Sequence, residues 1–292
     1  MNEASKGSAQ RSSWVAVTAG VIGGVLLLGT VSTAAVAGVT AANYDGTEKR
    51  QRLTEGADGI VQIDVEASAA KFRIDCETAP APSGDSAGSG GEDSFTLVTS
   101  GSSREWRMVR SGDTLHVEPV KRWFNGFSLF GSGDHRMQEV SLSLPASACD
   151  GSKPLDAEVD LGAGEVLVNG SYGLLDVSVG AGNARIEGTA LNLELEVSAG
   201  EAVLDMSDVR TADLSVSAGS LWGGLSGTAP KQIDIEVSAG DAELTVPDEV
   251  YAVRSDVSAG DFEHSLRTDQ SVLDHEINVE VSAGSLSLHP GR

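Results

Sequence analysis

The sequence predicts an all-β fold, a β-solenoid of about eight short coils, preceded by one N-terminal transmembrane helix. Three observations predict it. First, an Ala-Gly pair with Ser or Gly before it recurs at Gly164, Gly182, Gly200, Gly219, Gly240, Gly260 and Gly284, at spacings of 18, 18, 19, 21, 20 and 24 residues. Second, apolar residues sit 7, 5 and 3 places before nearly every one of these glycines and 2 and 4 places after it, as in Leu193, Leu195, Val197, Ala202 and Leu204. That is a period of two on both sides of a fixed corner. Third, residues 14–44 carry no charge, and about 20 apolar residues suffice to cross a bilayer as a helix.

Residues 1–13 form a short cytoplasmic tail in this reading, and residues 14–44 the signal anchor. Lys6 and Arg11 precede the span, whereas Lys49, Arg50 and Arg52 follow it closely, so charge bias supports an N-in orientation only weakly. The run Ala35-Val36-Ala37 resembles a signal-peptidase site, which leaves secretion after cleavage as the alternative. Residues 45–58 read as a linker.

Residues 59–150 read as an irregular β and capping region. A degenerate copy of the repeat opens it at Ile63, Val65, Ala67, Phe72 and Ile74, with Ala70 in place of the corner glycine. Residues 78–94 are rich in Pro, Gly, Ser and Asp and read as a disordered loop. Strand signals follow at residues 95–99, 105–110 and 114–118, the last two joined by Ser111-Gly112-Asp113, and Val140, Leu142 and Leu144 alternate up to Pro145. Residues 151–292 are the regular solenoid. Each unit exposes an apolar side that only stacking can bury. The chain ends eight residues after Gly284, which leaves the last coil almost uncapped and makes that edge a candidate for end-to-end self-association.

The repeated V-S-A-G-x-x-x-L units, the S-L-S-L-P segment of residues 141–145 and the single upstream span resemble the bacterial DUF4097-type putative-adhesin family, also called toastrack-like β-strand repeat proteins. The likeness covers about residues 55–292. It implies a right-handed β-helical domain on the cell envelope, with envelope-stress signalling partners in some relatives, and no catalytic motif to transfer.

The chain holds 43 acidic and 20 basic residues, a net charge of −23, which argues against nucleic-acid partners because phosphate recognition needs a basic face. Residues 151–292 contribute 25 acidic and 7 basic residues, a net of −18. No metal-spaced histidines, nucleophile elbow or phosphate loop is present, so neither an enzyme nor a cofactor is expected. Glu165, Glu201, Asp241 and Asp261 follow the corners and read as a solvated acidic face rather than a Ca²⁺ ladder. Cys76 and Cys149 flank the 77–148 insertion and form a candidate disulfide in an oxidising compartment. Ser255 and His264 take inward places in one coil, where a buried pair would need mutual hydrogen bonding.

Trp123, Phe124, Phe127 and Phe130 crowd beside Lys121 and Arg122, as a candidate interaction loop or a plug for the first coil. The expected function is a non-catalytic, membrane-anchored, adhesin-like surface protein that presents an acidic rod to a surface ligand of unknown identity. The alternative is an extracytoplasmic sensor module that engages a membrane signalling protein.

Overall fold

The computed structural model describes residues 50–76, 93–101, 105–120, 137–149, 151 and 154–291. The apolar stretch of residues 14–44 lies outside the described residues, as do Trp123, Phe124, Phe127 and Phe130 and nearly all of loop 78–94. Among the described residues no helix is long and apolar enough to cross a membrane.

The described chain is nearly all β. In order come β1 (Gln51–Gly56), β2 (Gln62–Ala67), β3 (Ala70–Cys76), β4 (Ser94–Ser100), β5 (Trp106–Ser111), β6 (Thr114–Pro119), β7 (Glu139–Leu144) and a single helical turn α1 (Ala146–Cys149). The repeat array follows as β8 (Leu155–Ser207), β9 (Thr211–Ser226), β10 (Gln232–Val246), β11 (Val250–His264), the two-residue β12 (Arg267–Thr268) and β13 (Glu276–Pro290). Strand β1 corrects the expectation of a linker over residues 45–58. It pairs antiparallel with β4 from Gln51↔Thr99 to Gly56↔Ser94. As an edge strand it sends only Leu53 toward the core, so it carries no alternating signal to read.

The repeats stack as parallel, in-register rungs. Gly219 lies beside Gly200, Gly240 beside Gly219, and Gly284 beside Gly240. The degenerate copy is the first rung: Ala67 pairs with Leu161, and Ala70 with Gly164. Inward residues form columns through the stack. Val197, Val216, Val237 and Val281 are fully buried in one column, and Ile74, Val168, Ile186, Leu204 and Leu288 are at most 1% exposed in another. Alternation in the sequence thus becomes a continuous core of Val, Leu, Ile and Ala.

At the corner, backbones come too close for a side chain. A Cβ on Gly200 would stand 1.9 Å from the carbonyl oxygen of Gly182, and one on Gly182 would stand 2.0 Å from that of Gly164. Every such Cβ points at the preceding rung. That direction explains why the first rung carries Ala70. Strand β6 ends its pairing at Val65 and β7 begins at Lys71, so among the described residues no strand pairs beneath that corner.

The rungs are not stacked in chain order. The order is β9, β10, β13, β11, with the C-terminal rung inserted between the two that precede it in sequence. Strand β13 pairs with β10 on one side and with β11 on the other. The chain steps two rungs from β10 to β11, and residues 265–275 return it to fill the gap. This corrects the expectation of an open edge at Gly284, since the last residues of the chain are paired on both sides. The exposed terminal rung is β11.

The opposite end is closed by strands of different direction. Strand β4 lies antiparallel between β1 and β7, and β5 pairs antiparallel with β6 through the turn at Gly112, whose φ is 68°. Trp106 is buried there, donating from Nε1 to Gln138 Oε1 at 3.0 Å and packing 5.6 Å from the ring of Phe72.

Candidate functional site

The outward residues follow from the same register, and they bring like charges together. Six places before each corner, the row runs Asp64, Glu158, Asp176, Glu194, Asp213, Asp234. These are six carboxylates on consecutive rungs, about 4.8 Å apart. The row is capped at both ends. His116 Nδ1 lies 2.8 Å from Asp64 Oδ2, and Asn278 Nδ2 donates to Asp234 Oδ1 at 2.8 Å, with Arg254 on the rung beyond. A parallel row two residues on carries Glu66, Asp160, Glu196, Glu236, Glu280 and Asp256, interrupted by Ser178 and Ser215.

Crowding shifts the titration of this face. Burial, then the charges of Glu194, Glu158, Asp160 and Glu196, push Asp176 up to about 6. Glu158 is raised by burial and then by Asp64 and Asp160, Asp160 by burial and then Asp64 and Glu66, and Asp213 by burial and then Asp234 and Glu194. A carboxyl raised in the folded state binds more protons there than in the unfolded chain, so stability falls as pH rises through the window. For Asp176 that window opens near the ordinary 3.8 and closes at about 6. Asp208 and Asp269 work in the opposite sense, held low by hydrogen bonds from Thr228 and Ser271, and their contribution is lost only below the ordinary range. The melting temperature is therefore expected to rise as pH is lowered from about 7 to about 5, and Asp176→Asn to raise it at pH 7 while flattening the slope. Melting curves across that range check this. A flat or opposite slope in the parent chain would remove the coupling.

The acids expected to form a face beside the corners are arranged differently. In the stack that column runs Lys71, Glu165, Asn183, Glu201, Ser220, Asp241, Ser285, Asp261, with acid on alternate rungs. The inverted order of the last rungs carries the alternation to the end of the stack, since Ser285 stands between Asp241 and Asp261 and donates to Asp241 Oδ1 at 2.6 Å. Lys71 Nζ pairs with Glu165 Oε2 at 2.9 Å. The continuous row is the one six places before the corner, which the sequence displays only as a charge alternating with apolar residues. Lining up the copies on their glycines is the signal that finds it.

Ser255 and His264 do not form a buried pair. Both occupy inward columns, opposite Val279 and Leu288, yet both are exposed because among the described residues no further rung stacks on β11. His264 instead lies 5.5 Å from the ring of Phe262. Cys76, at the end of β3, and Cys149, in α1, are joined as a disulfide with Cα atoms 5.9 Å apart. Trp222 is 40% exposed on the outer face, between Val203 and Glu243. A groove of about 330 Å³ near the first rung is lined by Lys71, Arg73, Val98, Glu139 and Leu167 among others, and both of its cations are paired with acids. Among the described residues no group of three or more His, Cys, Asp and Glu is gathered to hold a metal ion.

No family model matches the chain, and neither does any curated protein. Among solved structures it is similar to a "putative cell adhesion protein" from Clostridium sporogenes, at 12% identity and TM-score 0.38, covering 84% of this chain and 100% of that one. A "putative adhesin" from Bacteroides fragilis is 10% identical at TM-score 0.41, covering 82% of this chain and 97% of that one. A "putative lipid binding protein" from Parabacteroides distasonis is 15% identical at TM-score 0.39, covering 84% and 97%. At these scores the likenesses carry no argument about function, which rests on the residues.

Proposed function

We propose that this chain is a non-catalytic, membrane-anchored cell-surface protein of the DUF4097 type, a β-solenoid rod that binds its partner along one acidic face. The observation that carries the reading is the unbroken row from Asp64 to Asp234, six carboxylates on consecutive rungs. A row of repeated charge suits an extended basic partner, which can gain one contact per rung. It suits a small substrate poorly, because no rung differs enough from its neighbours to orient one. The uncharged residues 14–44 support tethering, and the in-register parallel stack supports an acidic face built rung by rung. The adhesin names of the similar structures agree with this reading without carrying it.

The test is binding of full-length protein, reconstituted in vesicles, to a surface coated with polylysine. Neutralising Asp176, Glu194 and Asp213 together to Asn or Gln is expected to weaken binding about tenfold at roughly 0.1 M salt. Neutralising Glu201, Asp241 and Asp261, an equal charge in the alternating column, is expected to leave most of it. Equal losses in the two variants would mean that net charge alone acts, and the row would have no special part.

A further inference from the structure

We propose that two copies of this chain associate end to end through β11, antiparallel and about a two-fold axis at Ser255. On one side β11 pairs with β13 throughout, from Ala252↔Glu276 to His264↔Leu288. On the other side β12 covers only Val250 and Tyr251. Among the described residues no strand pairs with the rest of β11 on that side, at the end of the stack.

The edge is set up to accept a strand. The Ala252 N–H donates to His275 O on the β13 side, so by alternation the N–H and C=O groups of Val253, Ser255 and Val257 point away from the stack. The inner face is cut open at the same place. Val257 is 38% exposed, whereas Val281, Val237 and Val216 in its column are fully buried. A second β11 would extend that column.

The charge pattern selects the occupant and the register. Among the outward residues of this strand, Arg254 and Asp256 carry opposite charge, with Ser255 between them. Antiparallel pairing centred on Ser255 sets each Arg254, which pairs with Glu276 of its own chain, against the partner's Asp256, twice, so that the guanidinium bridges two carboxylates, and sets Val253 against the partner's Val257 on the inner face. Pairing about the corner instead would oppose Asp256 and Glu263, like charge against like. Head-to-tail growth is disfavoured because the other end of the stack is closed by β1, β4 and β5, so the contact is self-complementary and stops at two copies. Gln270 Nε2 holds the Val253 carbonyl at 2.7 Å and must be displaced for a partner strand to pair there.

The test uses the full-length chain in detergent at about 100 µM, where sedimentation is expected to show a dimer. Ser255→Cys is expected to cross-link to itself under mild oxidation, since antiparallel hydrogen-bonded partners stand about 5.5 Å apart at Cα. Cys76 and Cys149 are already joined and do not compete. Arg254→Asp is expected to raise the dissociation constant about tenfold or more, and adding Asp256→Arg to restore it. Circular dichroism on each variant separates lost pairing from lost fold. A chain that stays monomeric, a dimer indifferent to Arg254→Asp, or a dimer in which Cys at 255 stays free each overturns the proposal.

Discussion

Gly200→Ala is expected to cost about 4 kcal/mol, a large share of the total stability of a domain of this size. Two physical effects add. The φ of Gly200 is 141°, a region that side-chain-bearing residues rarely adopt, at about 1–3 kcal/mol. The added Cβ also stands 1.9 Å from the Gly182 carbonyl oxygen and 2.9 Å from its nitrogen and carbonyl carbon. Those atoms are backbone, and Gly182 is itself pressed against Gly164, so the strain cannot relax into one flexible side chain. Rungs would have to separate, breaking the ladder on both sides. Gly56→Ala is the control, since a Cβ there meets nothing within 4 Å and needs no unusual φ. Urea unfolding of both variants decides the matter. A loss below about 1 kcal/mol for Gly200→Ala, comparable with the control, would mean that the corners do not pack as described.

The corner glycines also show what a sequence can and cannot say about this molecule. Their recurrence and the apolar places around them dictate the rung, because a period of two beside a fixed turn admits one inward set. They do not dictate which rung lies on which. Val237, Val281 and Val257 present the same inward face, so the rung of Gly240 can accept either that of Gly284 or that of Gly260. The deciding information is in two residues. Ser255 and His264 are inward and polar in the same rung, and burying both would leave them to satisfy each other in an apolar column. At the end of the stack they face solvent and need no partner. Read as a pair to be buried, they mislead; read as the least buriable rung of the array, they mark its end.

The acidic face is legible in the sequence only in part. That residues such as Glu194 and Asp234 point outward follows from alternation alone. That six acids form one row depends on the rung offsets being kept from Glu158 to Asp234, through spacings that vary between 18 and 21 residues, and on Asp64 joining from 94 residues upstream of Glu158. The variation is absorbed in the returns, as between Ser207 and Thr211 or Val246 and Val250, and not in the rungs. Strand β1 was illegible for the opposite reason. Its sequence, Gln-Arg-Leu-Thr-Glu-Gly, holds one large apolar residue, and only the antiparallel edge of β4 makes it a strand.

Removing the disulfide by Cys76→Ser with Cys149→Ser is expected to lower the unfolding free energy by about 4 kcal/mol, from the chain entropy released to the unfolded state by opening so long a loop. The bridge spans 73 residues and encloses β4, β5, β6 and β7. These strands are where non-local pairing is least repetitive: β4 bridges β1 and β7, and β5 has β6 as its one ladder partner among the described residues, with Trp106 tying it to Gln51 and Gln138. The repeat rungs beyond Gly164 lie outside the loop, and each is paired with its own neighbours. The loss is therefore expected to fall unevenly. Amides of β4 to β7 should exchange first in the unbridged chain, while those of β9 and β10 keep most of their protection. Melting the oxidised and reduced protein side by side, with thiol labelling to confirm the state of both cysteines, measures the effect. Equal stability with both thiols free would show that the closed strands hold the base of the stack unaided.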